Sequence, residues 1–169
     1  MTPLGALTRG VMAGAAGTLA MDVLWFYRYR RGGGQSGFVE WEFSVGLDDW
    51  SKASAPAQVG KRLYEAAFKR ELSPRWAALT NNVVHWSYGM GWGGMYGLVA
   101  GSAQRPRIRW GVPFGAFVWG TDYVVLPLAG VYKPIWEYDL PTLWQDLSAH
   151  LVYGLGTAVT FRKMAGARQ

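Results

Sequence analysis

Hydrophobic and polar positions are segregated into blocks along this chain. Four stretches of about 20 residues each, the length that crosses a bilayer as a helix, are nearly free of charge: Gly10 to Tyr27, Asn81 to Gly101, Trp110 to Val131 and Leu143 to Phe161. A water-facing helix carries a polar stripe with the 3.6-residue helical period, and none of the four shows one. The pattern predicts four transmembrane helices. In the segment between the first two it predicts an amphipathic helix, roughly Ala57 to Leu72, with Val59, Leu63, Ala66 and Phe68 or Leu72 on its apolar side and Pro56 at its first turn. Residues 1 to 27 also resemble a secretory signal peptide, basic at Arg9 and apolar from Gly10 to Met21. The cleavage-like Ala13-Gly14-Ala15 falls before an adequate apolar run, so an uncleaved first helix is expected.

Glycine is dense inside these stretches, as in Gly10-x-x-x-Gly14, Gly89-x-x-x-Gly93-x-x-x-Gly97-x-x-x-Gly101 and Gly111-x-x-x-Gly115. That density weakens a soluble helix, whereas in lipid it lets neighbouring backbones approach for van der Waals packing. The same faces offer surfaces for a homo-oligomer or a larger membrane complex.

The second and fourth stretches resemble each other. Asn81-x-x-x-His85-Trp-Ser-Tyr88-Gly89-Met-Gly91 matches Asp146-x-x-x-His150-Leu-Val-Tyr153-Gly154-Leu-Gly156. The first and third match with a one-residue slip: Gly10-Val-x-x-Gly14 leads to Thr18 and Asp22, and Gly111-Val-x-x-Gly115 leads to Thr121 and Asp122. The expectation is one all-α membrane domain over residues 1–169, a four-transmembrane-helix bundle made of two parallel two-helix repeats. The first repeat covers about residues 8–101 with an inserted loop at 31–79 that holds the amphipathic interfacial helix, and the second about 109–163.

Alternating helix direction brings Asp22, late in its helix, to the same end as His85, early in its own, and likewise Asp122 and His150. Spacings of three and four put Asn81, His85 and Tyr88 on one helix face, and Asp146, His150 and Tyr153 on another. A central Asp/His cluster is expected, capped by the two longer loops, of which the second is Tyr132-Lys-Pro-Ile-Trp-Glu-Tyr-Asp139.

Composition sharpens this picture. Half of the 169 residues are hydrophobic and 17% are charged, while mean hydropathy is only +0.01, so the apolar residues must be concentrated to span anything. The net charge of +6 is scattered over several loops. It fits anionic lipid headgroups and argues against nucleic acid, which needs a basic face. Trp25, Tyr27, Trp76, Trp86, Trp110 and Trp144 lie near predicted helix ends, where amphipathic rings sit at headgroup level. The absence of cysteine excludes disulfides, iron–sulfur clusters and thiolate metal sites. Among short connections, Arg105, Arg107 and Arg109 with the tail residues Arg162, Lys163 and Arg168 outweigh Lys133, placing both termini in the cytoplasm; Arg28 to Arg31 argue the reverse.

Ionised aspartate in a span costs about 2.5–3.5 kcal/mol on insertion scales, and such groups usually face a bundle interior or an aqueous cavity. Asp22, His85, Asp122 and His150 together meet the ligand needs of a divalent metal such as Zn, Mn or Fe, with Asn81, Asp146, Tyr88 and Tyr153 behind them. Without a metal they form a proton relay serving transport or redox chemistry. Two alternatives stand beside this. In one, the cluster is helix–helix glue in an accessory, structural or lipid-binding membrane subunit. In the other, His85 and His150 ligate a b-type haem, with Gly89, Gly91, Gly154 and Gly156 making room for it. No nucleophile elbow, P-loop, dinucleotide fingerprint or zinc-protease motif is present, and an enzyme is not expected.

The runs Gly-Thr-Leu-Ala-Met-Asp22, Asn81-Asn-Val-Val-His85, Tyr132-Lys-Pro-Ile-Trp-Glu-Tyr-Asp139 and Asp146-Leu-Ser-Ala-His150 resemble the YagU-like bacterial inner-membrane proteins and their actinobacterial relatives over most of the chain. The resemblance implies a bacterial multi-pass inner-membrane protein. It carries over no catalytic residue, because the biochemistry of that family is undetermined.

Overall fold

The computed structural model describes residues 1–44, 47–103 and 106–166; Arg105 and Arg168, weighed above for orientation, lie outside them. The described residues are all-helical, with no strand among them. Four long helices fall on the four apolar stretches: α1 (Pro3–Arg31), α4 (Ala77–Gly101), α5 (Gly111–Leu128) and α6 (Leu140–Gly166). Two shorter ones, α2 (Phe38–Glu42) and α3 (Ala55–Phe68), lie between α1 and α4.

Local chemistry accounts for the boundaries. Thr2 caps α1, its hydroxyl accepting from the Gly5 N–H, and Pro3 occupies the first turn where its missing N–H is harmless. Helix α3 starts two residues before the expected Ala57 and stops at Phe68, short of Leu72, because Lys69 turns left-handed at φ 53°. The Leu72 N–H bonds to the Glu65 carboxylate instead of extending the helix. Pro127 falls in the last turn of α5, which closes at Leu128. Asp139, expected to be a loop acid, receives the Thr142 N–H at 2.7 Å in the first turn of α6.

Glycine contacts fix how the long helices pack. A methyl group on Gly10 would overlap the Gly93 carbonyl oxygen and one on Gly14 the Gly89 carbonyl, so α1 and α4 run antiparallel with their backbones touching. Helices α5 and α6 meet in the same way, Gly111 over Gly154 and Gly115 over His150. Helix α1 also lies against α6, where Gly17 faces the Tyr153 carbonyl and Thr157. No comparable backbone contact joins α4 to α5. Long side chains bridge that gap: the Trp92 and Phe117 rings meet edge to face at 5.6 Å, and the Tyr88 hydroxyl reaches Asp122.

The bundle interior is built from small and polar residues. Ala13, Gly14, Thr18 and Asp22 of α1 and Thr157 and Ala158 of α6 are buried, with Tyr96, Tyr153 and Phe161 as the large buried rings. Many large aliphatic residues point away from it, Val99 of α4 being 71% exposed and Leu128 of α5 85%, while Val118 of α5 is buried. Among the described residues, α1 is the one helix both long and apolar enough by hydropathy to cross a membrane. The other long helices are rich in Gly, Trp and Tyr, which hydropathy scales score as mildly polar.

Candidate functional site

Two aspartate–histidine pairs form at the same end of the bundle. Because Gly14 draws α1 onto α4 at Gly89, Asp22, two turns past Gly14, comes level with His85, one turn before Gly89. The His85 Nε2 lies 2.9 and 3.1 Å from the two Asp22 carboxylate oxygens, so its N–H is shared between them. Helix α2 adds a second carboxyl group. Glu42 is only 8% exposed; it accepts the Trp86 indole N–H at 3.1 Å and sits beside Asp22. Burial, and then the Asp22 carboxylate, push Glu42 up to about 7.

The second pair joins α5 to α6. The His150 Nε2 is 3.2 Å from Asp122 Oδ2, while its Nδ1 is 2.9 Å from the Asp146 backbone carbonyl and 3.4 Å from the Asp146 carboxylate. Both ring nitrogens thus face oxygen acceptors, and two N–H donors meet them in full only in the imidazolium form. The Tyr88 hydroxyl of α4 donates to the other Asp122 oxygen. Tyr132, in the loop after α5, has its hydroxyl pushed up by burial and then by Asp146 and Asp122.

Both pairs open on one cavity of about 770 Å³ between α4 and α5, where the backbones stay apart. Its deep end is formed by Thr18, Gly89, Trp92, Val118 and Tyr153. Its cover comes from Trp41 and Glu42, from Pro56, Val59 and Leu63 of α3, and from Tyr132.

The residues placed behind the cluster from sequence take different parts. Asp146 does orient His150. Asn81 does not touch His85: its amide donates to Ser44 at 3.1 Å and its carbonyl accepts from Ser54, tying the cover to α4. Tyr88 crosses to Asp122 and leaves His85 alone. Tyr153 donates to the Gly89 carbonyl at 2.7 Å and braces α6 against α4. The four central residues sit as two separate pairs, and among the described residues no group of three or more His, Asp or Glu is arranged to hold a metal ion. Both Nε2 atoms, which a shared haem iron would need, are directed at carboxylates. Glu42 is not among the residues that the sequence pattern places at the cluster. Its signal was the one-turn spacing from Phe38, whose ring packs against Phe26 at 5.2 Å and turns that helix face inward.

No protein-family model, no curated protein and no solved structure matches this chain.

Proposed function

We propose that this chain is a four-span membrane protein of two repeated helix pairs, whose interior cavity binds a small molecule and whose two Asp–His pairs take up and release protons beside it. The carrying observation is that acids and histidines from five different helices open on a single, largely apolar cavity. A cavity of several hundred Å³ with a few convergent polar groups is the usual form of a small-molecule site.

The membrane setting is supported by the inverted arrangement of the bundle, large aliphatic side chains outward and glycine, threonine and ionisable groups inward. A soluble helical bundle buries its large apolar residues. In lipid they have no reason to hide, and glycine contacts supply the cohesion. A bacterial inner-membrane location follows from the YagU-like resemblance.

Magnitudes favour a working site over helix glue. An ionised Asp in a span costs about 2.5–3.5 kcal/mol, whereas interhelical hydrogen bonds in membranes return about 0.6 kcal/mol on average and at most about 1.7. Structural bonding alone does not offset the cost. Proton handling is favoured over metal binding because each imidazole is already matched to its own carboxylate.

With two histidines in the chain, nitrogen-15 labelling of histidine gives two imidazole systems in a reconstituted bilayer. Both should change protonation as pH is varied, with Asp22→Asn shifting the His85 transition and Asp122→Asn the His150 transition. Imidazoles that hold one protonation state throughout, indifferent to the aspartates, would reject the reading.

A further inference from the structure

We propose that the cavity's occupant is a lipophilic organic cation, held by the carboxylates and aromatic rings in exchange for protons that the Asp–His pairs otherwise carry. This rests on the proton-handling reading above and names the substrate class it serves.

The first argument is charge. Four carboxyl groups, Asp22, Glu42, Asp122 and Asp146, line the cavity against two imidazoles and the ammonium of Lys52. Among the described residues no guanidinium lines it. Arg28 and Arg62 are held by the framework: Arg28 by the Gln145 carbonyl and Ser148 hydroxyl, Arg62 by the Ala129 and Gly130 carbonyls. Among the described residues, the ion pairs of Asp22, Asp122 and Asp146 are with histidine alone. An anion entering this space would meet carboxylates and one lysine, whereas a cation needs only that protons leave.

The second argument is the wall itself. Tyr88, Trp92, Tyr132 and Tyr153 ring the carboxyl groups, with Trp25 and Trp41 toward the cover. Aromatic faces attract cations, most strongly where water is excluded. Trp25 already does so, carrying the Arg28 guanidinium 4.8 Å from its ring centre. Much of the remaining lining, including Val59, Val84, Val118 and Leu126, is aliphatic, alongside Thr18, Ser44, Ser54 and Asn81, and suits a bulky hydrophobic body rather than a hydrated metal ion.

The test uses an isosteric pair of opposite charge, tetraphenylphosphonium and tetraphenylborate, titrated against the full chain in nanodiscs of zwitterionic lipid with empty nanodiscs as reference. The phosphonium ion should bind at least about tenfold tighter than the borate and release protons into weakly buffered solution, and Asp22→Asn or Asp122→Asn should weaken it about tenfold. Because those substitutions also touch the bundle, Val59→Lys on the cover is the second variant. It places a cation in the cavity from α3, outside the four long helices, and should abolish phosphonium binding while raising borate binding. Equal or tighter binding of borate by the unaltered chain overturns the proposal, as does phosphonium binding indifferent to Val59→Lys. If the phosphonium ion fails to bind while each imidazole still answers to its own aspartate, the cation proposal falls and the proton reading stands. If the imidazoles are also unresponsive, both fall.

Discussion

The two Asp–His pairs arise from similar sequence, yet they are built into the molecule differently. His85 is shared with Asp22 and, through it, with Glu42 on a short helix of the cover; its side chain is 24% exposed against 11% for His150. His150 is held at both ring nitrogens, and its partner Asp122 also receives Tyr88. One pair is tied to the cover and the other to the long helices alone. Helix packing separates them too. In the first pair Gly10 meets Gly93, whereas its counterpart Gly111 meets Gly154, the counterpart of Gly89, a slip of one helical turn. The slip accompanies an asymmetry in the bundle, α1 closing on α6 while α5 and α4 stay apart around the cavity. Matched sequence segments therefore place matched residues around a space that two equivalent halves would have closed.

The largest effects should come from the glycine contacts beneath each pair. Gly14→Val drives a branched side chain into the α4 backbone and Gly115→Val into the α6 backbone. Each should cost about 3 kcal/mol or more, at the upper end for overpacking and with no flexible neighbour to yield. Thermal unfolding in detergent measures the loss. Histidine spectra should show the adjacent pair broken first in each variant; simultaneous loss of both pairs would mean that the comparison is wrong.

Next come the aspartates. Asp122→Asn weakens bonds to both His150 and Tyr88, while Asp22→Asn leaves Glu42 beside His85 as a substitute acceptor. Set against the burial cost that either substitution relieves, Asp122→Asn should leave the chain about 1 kcal/mol less stable than Asp22→Asn in unfolding titrations. Equal losses would remove the claimed difference between the pairs.

Glu42 gives a pH dependence confined to the first pair. Its raised folded value means that the folded state holds a proton which the unfolded chain has released at the same pH. The stability it contributes is fully present below the ordinary glutamate range and is lost as pH rises through about 7. The protection of the Phe38–Glu42 amides, taken relative to their intrinsic exchange rates at each pH, should therefore fall over that window, and Glu42→Gln should flatten the profile. The smallest effect is expected from Asn81→Ala, which frees Ser44 and Ser54 and costs about 0.5 kcal/mol of local stability. It should speed exchange in α3 and leave both imidazoles unchanged, contrary to a role in orienting His85.

The long helices were legible because their apolar blocks are uninterrupted and their ends carry Pro, Gly and cationic residues. The level of Asp22 with His85 and of Asp122 with His150 was legible because helix direction alternates. Partners more than one turn away were not. The spacing rule put Asn81 and Tyr88 on the face of His85, which they share, but it carries no information about what another helix or loop brings to that face. Ser44 and Ser54 claimed Asn81, and Asp122 claimed Tyr88. Glu42 and Glu40 look alike in sequence, and only the packing of Phe38 on Phe26 separates the inward acid from the outward one.

The proposed arrangement turns many aliphatic side chains to lipid and the ionisable groups to an interior cavity. It is most directly tested by single cysteines, for which the cysteine-free chain is a ready background. Val84 and Leu126 line the cavity, whereas their neighbours Val83 and Val124 point outward, 54% and 61% exposed. In intact membranes, a water-soluble maleimide applied on the cover side should label Val84→Cys and Leu126→Cys and leave Val83→Cys and Val124→Cys unmodified, because lipid covers them. Preferential labelling of Val83→Cys and Val124→Cys is the result expected if water surrounds the bundle, and it would contradict the account.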